Sequence, residues 1–180
     1  MYRLLAAPVL LYLIITRQAD LFKWLLALSF FTDAIDGFLA RRYKTVSIIG
    51  AKLDSIGDDL TVVAGVIGLF VLKPDFIKEE LLWLVFIFIL FLVQVISAFA
   101  RYGAFTSYHT YVAKVAAISQ GVFLILSFFM PGPSRLLFYI AVILTALDLA
   151  EEIILTLLLP KWKANVKGLY WVLKERRIFQ

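Results

Sequence analysis

The sequence contains no cysteine, and it has a single histidine in 180 residues. Without cysteine the chain has no disulfide framework and no thiol chemistry. Charged residues are also scarce, at 17% of the chain, whereas an average globular domain carries about 25%. These absences exclude a disulfide-stabilised scaffold and a thiol enzyme, and they make a normal solvent-facing surface difficult to build.

Apolar residues are abundant instead. They make up 63% of the chain, and the mean hydropathy is +0.93. A helix needs about 20 mostly apolar residues to cross a bilayer. Six segments approach or meet this length: 2–17, 20–41, 49–72, 79–101, 112–131 and 134–160. The sequence therefore predicts an all-α integral membrane protein, a six-transmembrane-helix bundle over residues 1–160, with the first segment retained as a helix rather than cleaved as a signal peptide.

The distribution of basic residues predicts the orientation of this bundle. If the N-terminus is cytoplasmic, thirteen of the 18 lysine and arginine residues fall on the cytoplasmic side. We therefore expect a multi-pass protein with both termini in the cytoplasm, and we interpret the net charge of +5 as a topology signal rather than a nucleic-acid site. The basic, aromatic cytoplasmic tail, 161–180, is typical of an interfacial anchor on an anionic leaflet, the alternative being a disordered basic tail.

Four aspartates interrupt the second and third apolar segments at helical spacing. They are Asp33, Asp36, Asp54 and Asp58. Residues three or four apart share one face of a helix, and the short link between the two segments makes them antiparallel neighbours. Acids at membrane depth are costly, so each needs a partner or a function. The four carboxylates are expected to converge near the cytoplasmic end of this helix pair.

Converging carboxylates cannot all stay ionised without cations nearby. Arg41 supplies one positive charge, and two divalent ions would balance the four aspartates. Oxygen ligands favour Mg²⁺ or Mn²⁺, and paired metal ions commonly serve in-line displacement at phosphorus. Gly37 and Gly50 leave space for a nucleotide or for the opposite helix. The alternative interpretation is a set of ordinary ion pairs at a helix end.

The complete pattern is specific. It runs Asp33-x2-Asp36-Gly37-x2-Ala40-Arg41-x8-Gly50-x3-Asp54-x3-Asp58. This stretch resembles the signature of the CDP-alcohol phosphotransferase (CDP-alcohol phosphatidyltransferase) family at every specified position. The rest of the chain is similar to that family in helix number, orientation and length.

The resemblance implies an activity and a set of roles. Enzymes of this family have six transmembrane helices, often form homodimers, and transfer a phosphatidyl or substituted phosphate group from a CDP-linked donor to an alcohol, with release of CMP. The resemblance implies two metal ions bound by Asp33, Asp36, Asp54 and Asp58, with Asp58 also the catalytic general base. It implies a CDP site formed by Asp33, Gly37, Ala40, Arg41 and Gly50. The expected donor is CDP-diacylglycerol or a related CDP-linked lipid.

The acceptor is a small alcohol whose identity the sequence predicts less directly. Residues 113–121 resemble the G-K-x-K-T-x-x-Q segment of the phosphatidylglycerophosphate synthase-like branch, with Lys114 and Gln120 matching. Departures from that segment fall at Ala113, Ala116 and Ala117, and Asp59 replaces a lysine found in many members. Glycerol-3-phosphate is the preferred acceptor, and the cardiolipin and phosphatidylinositol-phosphate branches stay open. The candidate acceptor-binding residues are Arg101, Lys114 and Asp148.

Several alternatives remain at this point. An acidic cluster inside a membrane also suits a small cation transporter, and a structural membrane subunit could keep a vestigial motif. Asp148, Glu151 and Glu152 share one face of the sixth segment, where they could pair with Arg101 or Lys114, form a structural polar cluster or lie at a dimer contact. His109 could be part of a site or simple polar surface.

Overall fold

The computed structural model describes all residues except 1, 44–47, 105, 107, 164–165 and 179–180. At 2–4, 33–43, 48–56, 58–59 and 175–178 the description covers the backbone alone. Within these limits the protein is all-helical. The helices are α1 (Tyr2–Ile15), α2 (Ala19–Tyr43), α3 (Ile48–Leu72), α4 (Pro74–Tyr102), α5 (Tyr111–Phe129), α6 (Arg135–Leu158) and α7 (Leu169–Ile178).

The six predicted apolar segments are helices, but two details differ from expectation. Helix α4 begins at Pro74 rather than at residue 79, so that Lys73 alone separates it from α3. Proline suits the first turn of a helix, where its missing N–H has no partner to lose. The tail also contains α7, which the apolar pattern did not predict because this helix is short and rich in charge.

Two of the described helices, α4 and α5, are long and apolar enough to cross a membrane. Their most apolar stretches have mean hydropathies of 2.8 and 1.9. Only 11% of that stretch of α4 is buried inside the protein, whereas the core helix of a soluble protein is mostly buried. The exposed apolar surface of α4 is therefore suited to contact with lipid.

The chain divides into two compact units. The first contains 1–79 and 121–134, and the second contains 80–120 and 135–180. The boundary cuts α4 near its start and α5 near its middle, so each of these helices contributes to both units.

In the first unit, α1 packs against both α2 and α3, and α2 contacts α3. Helices α2 and α3 pack tightly at Gly68, where an added Cβ would lie 2.6 Å from the ring of Phe22. Phe22 is fully buried and meets the ring of Phe128 edge-on at 4.8 Å. Since Phe22 is near the start of α2 and Gly68 is near the end of α3, these two helices are antiparallel.

In the second unit, polar contacts near both ends of α4 and α6 show that these helices run parallel. Near their starts, the hydroxyl of Tyr139 donates to the buried carboxylate of Glu80 at 3.1 Å. Near their ends, the hydroxyl of Tyr102 donates to the carbonyl of Leu159 at 2.9 Å. Hydrogen bonds of this kind fix the register of two apolar helices that would otherwise slide easily.

Replacing Gly68 with valine should destabilise the first unit, because the new side chain would overlap the ring of Phe22. Overpacking of a filled interior costs about 1–3 kcal/mol. Thermal unfolding of the purified protein in detergent should show a lower Tm. Gly132→Val is the matched control, since no atom lies within 4 Å of an added Cβ there. An equal Tm for both variants would contradict the packing described for Phe22.

Candidate active site

Both halves of the aspartate motif lie in helices, as their spacing predicted. Asp33 and Asp36 belong to the C-terminal half of α2, whereas Asp54 and Asp58 belong to the N-terminal half of α3. Because α2 and α3 are antiparallel, these halves lie at the same end of the helix pair. The link between them, residues 44–47, lies outside the described residues. The scaffold therefore brings both halves of the motif to one end of the first unit.

The motif residues are described by their backbone alone, and their side chains lie outside the described part of the structure. The motif residues are Asp33, Asp36, Gly37, Ala40, Arg41, Gly50, Asp54 and Asp58. Among the side chains that are described, no three acidic or histidine groups come together as a metal site. The metal and nucleotide roles of the motif thus rest on its pattern and on the helix arrangement.

Two described hydroxyl side chains that flank the motif are satisfied within their own helices. Ser29 donates to the carbonyl of Leu25 at 2.9 Å, and Thr61 donates to the carbonyl of Gly57 at 2.8 Å. Both side chains are buried, so an unpaired hydroxyl would be costly there. These hydrogen bonds let short polar residues be buried beside the motif without a partner from another helix.

An apolar groove runs along α2 on the N-terminal side of the motif. It has a volume of 480 Å³, and its lining residues are Trp24, Ala27, Leu28, Phe30, Phe31 and Ile125. Phe31 lies two residues before Asp33, so the groove ends within one turn of the first motif aspartate. The sequence analysis did not identify this groove, because its lining looks like any other apolar helix face.

The three candidate acceptor-binding residues all belong to the second unit. The Nε of Arg101 donates to the carbonyl of Leu159 at 3.1 Å, so this side chain contacts the end of α6. Lys114 is exposed, and its Nζ lies 5.4 Å from the centre of the Tyr111 ring. Asp148 is partly buried on α6, and its Oδ1 has no hydrogen-bond partner in the described part of the chain.

The neighbours of Asp148 on α6 have structural partners that the sequence did not predict. Glu152 is buried and accepts hydrogen bonds from the side-chain amide of Gln94 at 2.8 Å and from the backbone N–H of Tyr108 at 3.1 Å. Glu151 accepts from the backbone N–H of Leu169 at 2.7 Å, at the start of α7. These two carboxylates hold the α4–α5 loop and α7 onto α6, which favours the structural interpretation for both.

In the described part of the α4–α5 loop the buried residues are Tyr108 and Thr110, and not His109 between them. The Tyr108 hydroxyl lies 3.1 Å from the hydroxyl of Thr156, and burial raises the pKa of Tyr108 above its usual range. His109 is exposed and has a φ of 51°. In a single sequence, nothing distinguishes this anchoring tyrosine from others in polar loops.

Comparison with models of protein families shows which family the chain belongs to. The model of the CDP-alcohol phosphatidyltransferase family matches residues 1–147. The chain belongs to this family. Its members are transferases of substituted phosphate groups, associated with membranes and with phospholipid synthesis, and they use divalent metal ions.

The CDP-alcohol phosphatidyltransferase match covers α1 to α5 and the first half of α6, and thus contains the whole aspartate motif. Glu151, Glu152 and α7 lie beyond residue 147. Comparison with curated proteins and with solved structures gave no match. The family is therefore established for this chain, whereas its branch is not.

Replacing Glu152 with leucine should loosen the α4–α5 loop of this CDP-alcohol phosphatidyltransferase. The variant leaves the N–H of Tyr108 without an acceptor and removes one of the two acceptors of the Gln94 amide, and an unsatisfied buried donor costs about 1–3 kcal/mol. Limited proteolysis should cut the variant faster between residues 103 and 110. Asp75→Asn is the control, because its pair with Lys78 is exposed and such pairs contribute little. Equal cleavage rates would show that Glu152 does not hold the loop.

Proposed function

We propose that the protein transfers a phosphatidyl group from CDP-diacylglycerol to a small alcohol, with glycerol-3-phosphate as the preferred acceptor, and releases CMP. The observation that carries this proposal is the complete aspartate motif on two antiparallel helices whose motif halves lie at one end. The family match supports the reaction class, and the apolar character of α4 and α5 supports a lipid donor.

The oxygen ligands that the motif offers suit two divalent cations. Asp33, Asp36, Asp54 and Asp58 supply only carboxylate oxygens, which suit Mg²⁺ and Mn²⁺. Four such groups at one end of a helix pair carry more negative charge than Arg41 can offset. When bound, the cations would supply charge neutralisation for the phosphates of the nucleotide.

Asp58 is proposed to take the proton of the acceptor hydroxyl. An alcohol is a weak nucleophile near neutral pH, so a positioned carboxylate that accepts its proton lowers the barrier to attack on phosphorus. The new bond joins the acceptor oxygen to the phosphorus next to diacylglycerol, and the bond to the CMP oxygen breaks. Arg41 would stabilise the charge that develops on the departing CMP.

The rest of the motif is proposed to hold the CDP group, with Gly37, Ala40 and Gly50 leaving room for it beside Asp33 and Arg41. The apolar groove on α2 would receive an acyl chain of the donor. Its position supports this role, because it ends within one turn of Asp33 and its lining is aromatic and aliphatic. A donor bound in this way would have its diphosphate near the aspartates and its chain along α2.

Acceptor recognition is assigned to Arg101, Lys114 and Asp148. The two cationic side chains suit the phosphate of glycerol-3-phosphate. Asp148 is included because its Oδ1, which has no partner among the described residues, can accept a hydrogen bond from an acceptor hydroxyl. The cardiolipin and phosphatidylinositol-phosphate reactions are the alternative assignments within the family.

The proposed architecture is a bundle in which α1 to α6 all cross the membrane and the chain forms a homodimer. Both termini and the active site would face the cytoplasm, because most lysine and arginine residues then lie inside. With this placement a water-soluble acceptor reaches the aspartates from the cytoplasm, and a lipid donor reaches them from the bilayer.

The test is CMP release by the purified protein with CDP-diacylglycerol and Mg²⁺. The acceptors are glycerol-3-phosphate, inositol phosphate, inositol, serine and phosphatidylglycerol. Asp58→Asn should lower the rate by at least about 100-fold, because general-base catalysis contributes about that much or more. Glycerol-3-phosphate should be the acceptor that supports release.

Asp75→Asn is again the matched control, since it removes an exposed carboxylate far from the motif in sequence. Acceptor-dependent release that persists in Asp58→Asn would overturn the role of Asp58. No release with any acceptor, combined with metal-dependent ion flux in vesicles, would favour a cation transporter instead.

A further inference from the structure

The segment after α6 is strongly cationic and carries no acid for fourteen residues, from 161 to 174. Its four lysines are all exposed: Lys161, Lys163, Lys167 and Lys174. No carboxylate pairs with these lysines among the described side chains, and such exposed cations favour contact with an anionic surface rather than an internal structural role.

Aromatic side chains accompany these lysines. Trp162 and Trp171 are both exposed, at 48% and 40%. The Trp171 ring lies 5.5 Å from the ring of Tyr111 at the start of α5 and 5.5 Å from that of Tyr170. Tryptophan and tyrosine concentrate where a membrane meets water, because their rings are apolar and their N–H or O–H groups are polar. We call the four lysines together with Trp162 and Trp171 the lysine–tryptophan surface.

This surface lies at the end of α4 and the start of α5, the two helices that meet the length and hydropathy test for a membrane span in the described part of the chain. The N–H of Tyr111, the first residue of α5, donates to the carbonyl of Lys167 at 3.2 Å. Arg101, near the end of α4, donates to the carbonyl of Leu159, two residues before Lys161. A segment held at the ends of such helices is at the level of the membrane interface when they span the bilayer.

The segment is also fixed in place. Glu151 accepts the N–H of Leu169, and the N–H of Val166 donates to the carbonyl of Tyr108 at 3.1 Å. Gly168 has a φ of 150°, which favours glycine, and an added Cβ there would lie 3.1 Å from Glu151. Val166 and Val172 are buried against Tyr108 and Leu155. The backbone that carries the lysines and tryptophans is therefore held against α6 and the α4–α5 loop.

We propose that the lysine–tryptophan surface binds the anionic headgroups of the surrounding bilayer. This goes beyond the transfer reaction, because the ligand is bulk lipid rather than donor or acceptor, and the binding requires no motif aspartate. Lysines attract the negative leaflet, and tryptophans insert at headgroup depth. Exposed lysines next to exposed tryptophans favour a membrane as the ligand over an acidic protein. An acidic protein would not require aromatic rings at the depth of the lipid headgroups.

The experiment measures quenching of tryptophan fluorescence by brominated lipids in vesicles containing the full chain and no CDP-linked lipid. A Trp24→Phe, Trp83→Phe background leaves only Trp162 and Trp171 as emitters. At equal mole fraction, dibromo-phosphatidylserine should quench more than dibromo-phosphatidylcholine. One lysine at a membrane surface contributes about a fivefold preference for anionic lipid. The difference should shrink in 1 M salt, where the screening length falls to about 3 Å.

Replacing the four surface lysines with glutamine should bring the ratio of the two quenching efficiencies to about one. The matched control is Lys23→Gln with Lys78→Gln, which removes cations from the first unit and should leave the ratio unchanged. A ratio that survives the four-lysine replacement would overturn the proposal. Absence of quenching by either lipid would also overturn it, because the tryptophans would then not reach the bilayer.

Discussion

The packing of Phe22 against Gly68 is the contact on which the site depends. It places the start of α2 beside the end of α3, so that the two helices are antiparallel. The contact is tight, because an added Cβ at Gly68 would overlap the ring. Everything proposed for the aspartates follows from that arrangement. Two aspartates on each helix then belong to the same end of the pair, and the proposed convergence of their carboxylates would require positive charge nearby.

The second unit is held together by a different kind of interaction. Its buried carboxylates, Glu80 and Glu152, are hydrogen-bonded to neutral groups, and Glu80 also lies 3.6 Å from the Nε of Arg135. Glu80 accepts from Tyr139, and Glu152 accepts from Gln94 and Tyr108. In an apolar bundle, such bonds determine which helices meet and in which register, since apolar side chains alone discriminate poorly.

The sequence predicted the parts of the protein that depend on local patterns. Long apolar runs predicted the helices, and the motif from Asp33 to Asp58 predicted the family that the comparison then established. Two features could not be predicted in this way. The partners of Glu151 and Glu152 are distant along the chain, in α4, the α4–α5 loop and the start of α7, and α7 is stabilised by packing of Val172 onto α6 rather than by its own pattern.

The central claim is that four aspartates on α2 and α3 hold two divalent cations. The most direct measurement is Mn²⁺ binding to the purified protein, followed by electron paramagnetic resonance. We predict two bound ions per chain whose spectra show magnetic coupling, and loss of that coupling in Asp54→Asn. Absence of tight Mn²⁺ binding, or a single uncoupled ion that Asp54→Asn leaves unchanged, would contradict a paired-metal site at this end of the helices.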